Sequence, residues 1–309
     1  MKKLLSILLA GALLCASVLT FASCSEAGED LDKVYNNFLK QYQFDDSGKK
    51  ELVVATSPDF APMEFVDVAK KGQDQYVGFD ILLAQYIAKE LDMKLVIKPM
   101  SFDACMSAVQ TNAADLAISG FSWTAERAEN FNITDYYIAG ENETEQILIT
   151  TKENEGKLTT AESVKGKKVG AQGGSLQELL VKEQLPDSTL ELFTDLAVAV
   201  EALMTGKIDA LAVAAGNGDA FISKNPDKIA KADFDFEVED KYKNNVILVN
   251  KSNNELLEKV NTVLAKAMAT KLEDGTSLYD GWYEACQIYS QVKTIDELGY
   301  DDNGNKIVD

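Results

Sequence analysis

"ADLAISGFSWTAERAEN", residues 114–130, decides how the chain folds. Its first half is a short apolar run, the pattern of a strand buried on both faces. Ser119-Gly120 ends the run, and Thr124 stands as an N-cap before a helical segment carrying Arg127. A strand handing over to a helix is the repeating step of a parallel α/β sheet. Upstream the same step recurs. "ELVVAT" (51–56) and "KLVIKP" (94–99) read as strands, while "GFDILLAQYIAKEL" (78–91) and "SFDACMSAVQTN" (101–112) read as helices, the latter N-capped by Ser101.

The rhythm restarts downstream. "KKVGAQ", "TLELF" and "IDALAV" are strand-like, and "GSLQELLVKEQL" and "DLAVAVEALMTG" lie between them as helices. Two α/β units of similar size imply two lobes. The apolar stretches 145–152 and 244–251 are expected to cross between them. The helices at 253–272 and 277–292 then return to cover the first sheet. The expected division is lobe 1 over 50–145 and 250–300, lobe 2 over 151–243, and a tail over 301–309. Ligands of such folds bind outside the C-terminal ends of the strands, here between the lobes, and two crossings form a hinge. The terminal "DDNGNKIVD" fails the calcium-loop spacing, because Lys306 falls where glycine is required; Asn303-Gly304 reads better as a hairpin turn.

The 309 residues suit about two domains. A net charge of −20 argues against nucleic acid and anionic membrane surfaces as partners. Histidine is absent, which removes the commonest general base and transition-metal ligand. The four cysteines form no CxxC pair, so no zinc site is expected, nor any other cofactor. Cys105 and Cys286 read either as a disulfide or as two separate buried thiols.

Arg127 is the sole arginine; every other basic residue is lysine. It sits where a strand end opens onto a helix N-terminus, a place that favours anions. Its permanently charged fork matches a carboxylate, and Ser122 can add a hydroxyl. The opposing reading, a surface residue beside Glu126 and Glu129, needs no ligand.

At the N-terminus, "MKKLLSILLAGALLCASVLTFASC" has a basic start, an uncharged apolar stretch and small residues before Cys24. It resembles a bacterial lipoprotein signal, which implies cleavage after residue 23 and lipidation of Cys24. A tether with a short amphipathic helix is expected over 24–49, from apolar residues at helical spacing between 31 and 42.

The stretches "LVVATSPDFAPMEF", "VGFDILLAQYIAKEL" and "SFDACMSAVQTNAADLAISGFSWTAERAENFNITDYY" resemble the polar amino-acid substrate-binding proteins of bacterial ATP-binding-cassette importers, family 3. The resemblance covers roughly residues 50–290. It implies a two-lobe, type II periplasmic-binding-protein-like fold with two crossover hinge strands. It places the ligand carboxylate on Arg127, with Ser122 and the Gly120 backbone beside it, and the ligand amine near Ser119. Phe60 and Phe102 fall where two rings would flank the ligand, or else pack in the core. In "GAQGGSLQE", Ser175 and Gly174 fall where the second lobe closes on the carboxylate.

One departure stands out. Ala214 occupies the position where the family usually carries the aspartate that holds the ligand ammonium. A buried ammonium without a counter-charge is costly. Either Asp219, Asp59 or Glu64 substitutes, with Asn217 as a neutral helper, or the ligand is no ordinary α-amino acid. Ser57 replaces an acid found in some members, which disfavours a cationic side chain. Trp123 is either a lid or a packing residue.

The sequence therefore points to a monomeric, lipid-anchored, extracytoplasmic receptor without catalysis. It would capture a small carboxylate-bearing solute, an amino acid by the resemblance, and deliver it to the membrane permease of an importer. The competing readings are a dehydratase-like enzyme in the same cleft, for which no catalytic constellation is visible, and a free-standing sensory receptor.

Overall fold

The computed structural model describes residues 49–137, 145–272, 275 and 277–292. The signal stretch, Cys24, the tether helix and the tail at 301–309 lie outside the described residues. The first lobe opens with β1 (Glu51–Thr56), β2 (Asp59–Phe60), β3 (Glu64–Val66), β4 (Tyr76–Val77), α1 (Phe79–Glu90), β5 (Lys94–Pro99), α2 (Phe102–Gln110), β6 (Leu116–Ala117), α3 (Ala125–Asn130) and β7 (Phe131–Ile133). The second contains β8 (Gln146–Thr151), α4 (Ala161–Val164), β9 (Lys168–Gln172), α5 (Leu176–Gln184), β10 (Thr189–Phe193), α6 (Leu196–Met204), β11 (Ala210–Ala214), α7 (Ala215–Lys224) and β12 (Ile229–Asp235). The chain then returns through β13 (Leu248–Asn250), α8 (Asn254–Ala269) and α9 (Leu278–Val292).

Each lobe is a five-stranded sheet covered on both faces. The first has strand order β5-β1-β6-β13-β7 and the second β10-β9-β11-β8-β12. In the first, α1, α8 and α9 bury Leu82, Leu264 and Trp282 against Leu52 and Val54, while α2 packs Phe102 and Val109 on the other face. In the second, α5 covers one face through Leu180, and α6 covers the other through Val200 and Leu203. The molecule is thus a two-lobe α/β protein of type II.

The sheets are not wholly parallel. β8 runs antiparallel to β11 and β12, and β13 antiparallel to β6 and β7. Both strands follow a crossing, so each enters its sheet from the side of the facing lobe and runs back against the parallel core. The expected crossing at 145–152 is therefore mostly β8, and pairing in the second sheet begins at Gln146, not at 151. Pairing in the first sheet resumes at Leu248. A small antiparallel sheet, β2-β3-β4, was not anticipated; its strands are only two or three residues long. Cys105 and Cys286 are free, buried thiols in separate clusters on opposite faces of the first sheet.

Candidate functional site

The two lobes meet over a narrow cleft, lined on one side by Phe60, Phe102, Ser119, Gly120, Ser122, Arg127 and Asn245, and on the other by Gln146, Gln172, Ser175, Leu176, Gln177 and Ala214. Arg127 is the centre of the arrangement. Thr124 caps α3 by accepting the Arg127 N–H at 3.2 Å, which fixes the turn from which the side chain leaves. The residue is 4 % exposed. Its Nη1 donates to the Ser122 carbonyl, and its Nη2 donates across to the Gly174 carbonyl in the second lobe at 2.7 Å. The guanidinium also lies over the rings of Phe121 and Phe102, at 5.1 and 5.6 Å from their centres. Burial lowers its pKa to about 10, so it is charged at neutral pH, and no carboxylate pairs with it among the described residues. A guanidinium has five N–H groups, so others remain for an anion.

Gly120 follows β6 with φ +56, a backbone region that other residues adopt at a cost. A Cβ there would come within 3.1 Å of the Phe60 ring. Facing it, Ser175 caps α5 by accepting the Glu178 N–H at 3.2 Å, and Glu178 returns a bond from the Gly174 N–H at 2.6 Å. The loop at 173–175 is thus held rigidly, with the Gly174 carbonyl turned to Arg127.

Behind the floor of the cleft lie two buried carboxyls. Ser119 Oγ donates to Glu64 Oε1 at 2.5 Å and accepts the Ser57 N–H at 2.9 Å. Asp80 Oδ2 accepts the Gly120 N–H at 2.8 Å and the Tyr137 hydroxyl at 3.0 Å. Glu64 is pushed well above the usual carboxylate range by burial and by the Asp80 charge, and burial pushes Asp80 up to about 7.

Asp59 joins the lobes differently. Its Oδ2 accepts from Gln172 Nε2 at 3.0 Å and from the Leu196 N–H, the first of α6, at 3.2 Å. Its Oδ1 accepts the Ser57 hydroxyl at 3.0 Å. Burial pushes it up to about 6 despite these donors, and Asp195 adds repulsion.

Of the residues expected at a site, the cleft gathers Arg127, Ser122, Gly120, Ser119, Phe60, Phe102 and Ser175, with Gly174 in contact through Arg127. It does not gather the others. Asp219 is exposed on α7, pointing away because the helix turns its first buried face, Asn217 and Gly218, toward the sheet. Asn217 is buried there without lining the cleft. Trp123 packs against an apolar cluster of each lobe and does not line the cleft. Neither Asp59 nor Glu64 lines the cleft. The sequence reading missed Gln146, Gln172, Leu176, Gln177 and Asn245. Asn245 is 3 % exposed, and its Nδ2 has no hydrogen-bond partner among the described residues, which leaves a donor at the cleft. An asparagine and a glutamine at the ends of apolar strand patterns are the only signal that marked Asn245 and Gln146.

Residues 52–285 match the profile of the bacterial extracellular solute-binding proteins, family 3. The chain belongs to this family. Its members are solute-binding proteins, and the relatives below carry binding names. The chain is similar to the arginine-binding extracellular protein ArtP of Bacillus subtilis (strain 168), 34 % identical over 46 % of this chain and 51 % of that protein, so it spans about half that relative's length. A putative ABC transporter arginine-binding protein of Escherichia coli (strain K12) is 27 % identical over 74 % of this chain and 89 % of its own. Among solved structures, the amino acid ABC transporter substrate-binding protein AbpA of Streptococcus pneumoniae, bound to L-arginine, superposes with TM-score 0.65 at 36 % identity, covering 77 % of this chain and 95 % of that one. An ancestral arginine-binding protein bound to glutamine gives 0.64 at 33 %, covering 76 % and 97 %.

Proposed function

We propose that this family 3 protein captures a small carboxylate-bearing solute, an amino acid, and presents it to the membrane permease of an ATP-binding-cassette importer. The observation that carries the reading is Arg127: a charged guanidinium, buried between two lobes, bonded to a carbonyl of each and paired with no acid among the described residues. A ligand carboxylate adds a charged acceptor for the N–H groups that remain, and charge-assisted bonds are the stronger. Because both lobes contribute polar groups to the cleft, a bound carboxylate favours the closed arrangement by its differential contacts. Ser122 supplies a hydroxyl, Ser175 and Gly174 the facing wall, and Phe60 and Phe102 the apolar sides. The protein acts as a monomer, tethered through lipid on Cys24; the support for the tether is the apolar, small-residue stretch ending at that cysteine.

Isothermal titration with a panel of amino acids tests the capture. Binding by the wild type, lost in Arg127→Ala, is the expected result; binding that survives that substitution overturns it. Cys24→Ala is expected to move the protein from the membrane fraction to the soluble one.

A further inference from the structure

The charges around the cleft can be counted against those of a ligand. Among the described lining residues Arg127 is the one permanent charge, and there is no acid; the end of β11 presents the Ala214 methyl group instead. An amino acid brings a carboxylate, which Arg127 answers, and an ammonium, which needs a negative partner. Asp219 is exposed outside the cleft. Asp59 does not line the cleft, and its oxygens already accept from Ser57, Gln172 and the N-terminus of α6. The Glu64–Asp80 pair remains, one residue behind the cleft floor. Two carboxyls this close and this buried do not both ionise: Glu64 keeps its proton, and the pair's negative charge forms on Asp80, which burial pushes up to about 7.

Ser119 connects that pair to the cleft through Glu64. Its single hydroxyl proton goes to Glu64, and one lone pair takes the Ser57 N–H. Toward the cleft it can therefore only accept, which suits an ammonium and not a second carboxylate.

Resting on the amino-acid reading above, we infer that the cleft selects amino acids whose side chain carries no positive charge, the ligand ammonium being balanced by the buried Glu64–Asp80 pair through Ser119. One cation and one anion match one zwitterion. A guanidinium or ammonium on the side chain would be enclosed among glutamines, Asn245 and aromatic rings, with no acid among the described lining residues to balance it. This sets the chain apart from the arginine-bound AbpA and places it nearer the glutamine-bound ancestral protein in ligand chemistry.

The test is isothermal titration of the full protein with L-glutamine, L-serine, L-methionine and L-phenylalanine against L-arginine and L-lysine. At least one uncharged amino acid is expected to bind about tenfold or more tighter than either cationic one. Ala214→Asp, which adds an acid to the lining, is expected to narrow that gap. Arginine or lysine binding as tightly as the best uncharged amino acid overturns this inference and leaves carboxylate capture by Arg127 intact. Failure of every amino acid to bind overturns both. The Ser119 connection has its own readout, the affinity ratio of L-phenylalanine to phenyllactate, which lacks the ammonium. Ser119→Ala is expected to lower the ratio about tenfold; an unchanged ratio overturns the role of the buried pair. A purely structural defect would weaken both ligands alike.

Discussion

Arg127 combines two demands that only a guanidinium meets. It must stay charged while 4 % exposed, and it must reach Ser122, Gly174 and a ligand from one planar group. A lysine at this position offers three donors around one point and loses its charge more readily when buried. Arg127→Lys is therefore expected to weaken amino-acid binding by about tenfold to a hundredfold, about 1.4 to 2.7 kcal/mol, with little change in the unliganded melting temperature. Titration calorimetry on both proteins checks it, and near-equal affinities would show that charge alone suffices. At this scale the sequence was readable where composition isolated a residue. A lone arginine after a strand-ending Ser-Gly invites a question. Asn245 and the three cleft glutamines drew none, because polar amides look alike whether they face solvent or a ligand. Asp219 misled for a related reason: proximity in sequence to a strand end does not say which way one turn of helix directs a carboxylate.

Among the elements, α6 matters most to the meeting of the lobes, since its first N–H is bonded to Asp59 of the first lobe. An anion at a helix N-terminus is favoured by the aligned peptide dipoles, yet burial still raises this carboxyl from 3.8 to about 6. When the lobes part, Gln172 and α6 leave it and water returns, so its pKa falls back toward the ordinary value. Closure thus takes up a proton between about pH 4 and pH 6. The closed form is favoured on the acid side, and that advantage is lost as pH rises through about 6. Amino-acid affinity is expected to fall on the order of tenfold between pH 4.5 and 6.5, and this part of the slope should vanish in Asp59→Asn. The Glu64–Asp80 pair titrates in both proteins, so the difference between the two pH profiles reports Asp59 together with its repulsion of Glu64. Parallel profiles would remove it from closure. The elements were largely legible: strands with branched apolar runs and the helix over 125–130 lie where pattern and the Thr124 cap put them. The direction of β8 and β13 was not, because an apolar run carries no sign of which way its strand runs in a sheet.

For the whole molecule, capture depends on how closely the two lobes approach, and Gly174 sits where they meet. It has φ +76, and a Cβ there would lie 2.5 Å from Met106 Cε on α2 of the opposite lobe and 3.6 Å from Asp103. Met106 is flexible and can yield, but the alanine methyl would then occupy space that closure needs. The backbone strain of a left-handed alanine, about 1–2 kcal/mol, acts on the second lobe alone and lowers stability with or without ligand. The contact with Met106 acts only when the lobes are together. The two effects separate in a melting experiment. A ligand at a hundred times its dissociation constant stabilises the wild type by about 2.7 kcal/mol, which raises the melting temperature of a protein this size by about 5–10 °C. Gly174→Ala is expected to melt lower without ligand and, at the same ligand concentration, to show less than half of that rise. Small-angle scattering should find the variant more extended than the wild type when both hold the amino acid. An undiminished rise would mean that Met106 absorbs the methyl fully and that the loop at 173–175 does not limit closure; a diminished one ties ligand affinity to the fit between a glycine of one lobe and a methionine of the other.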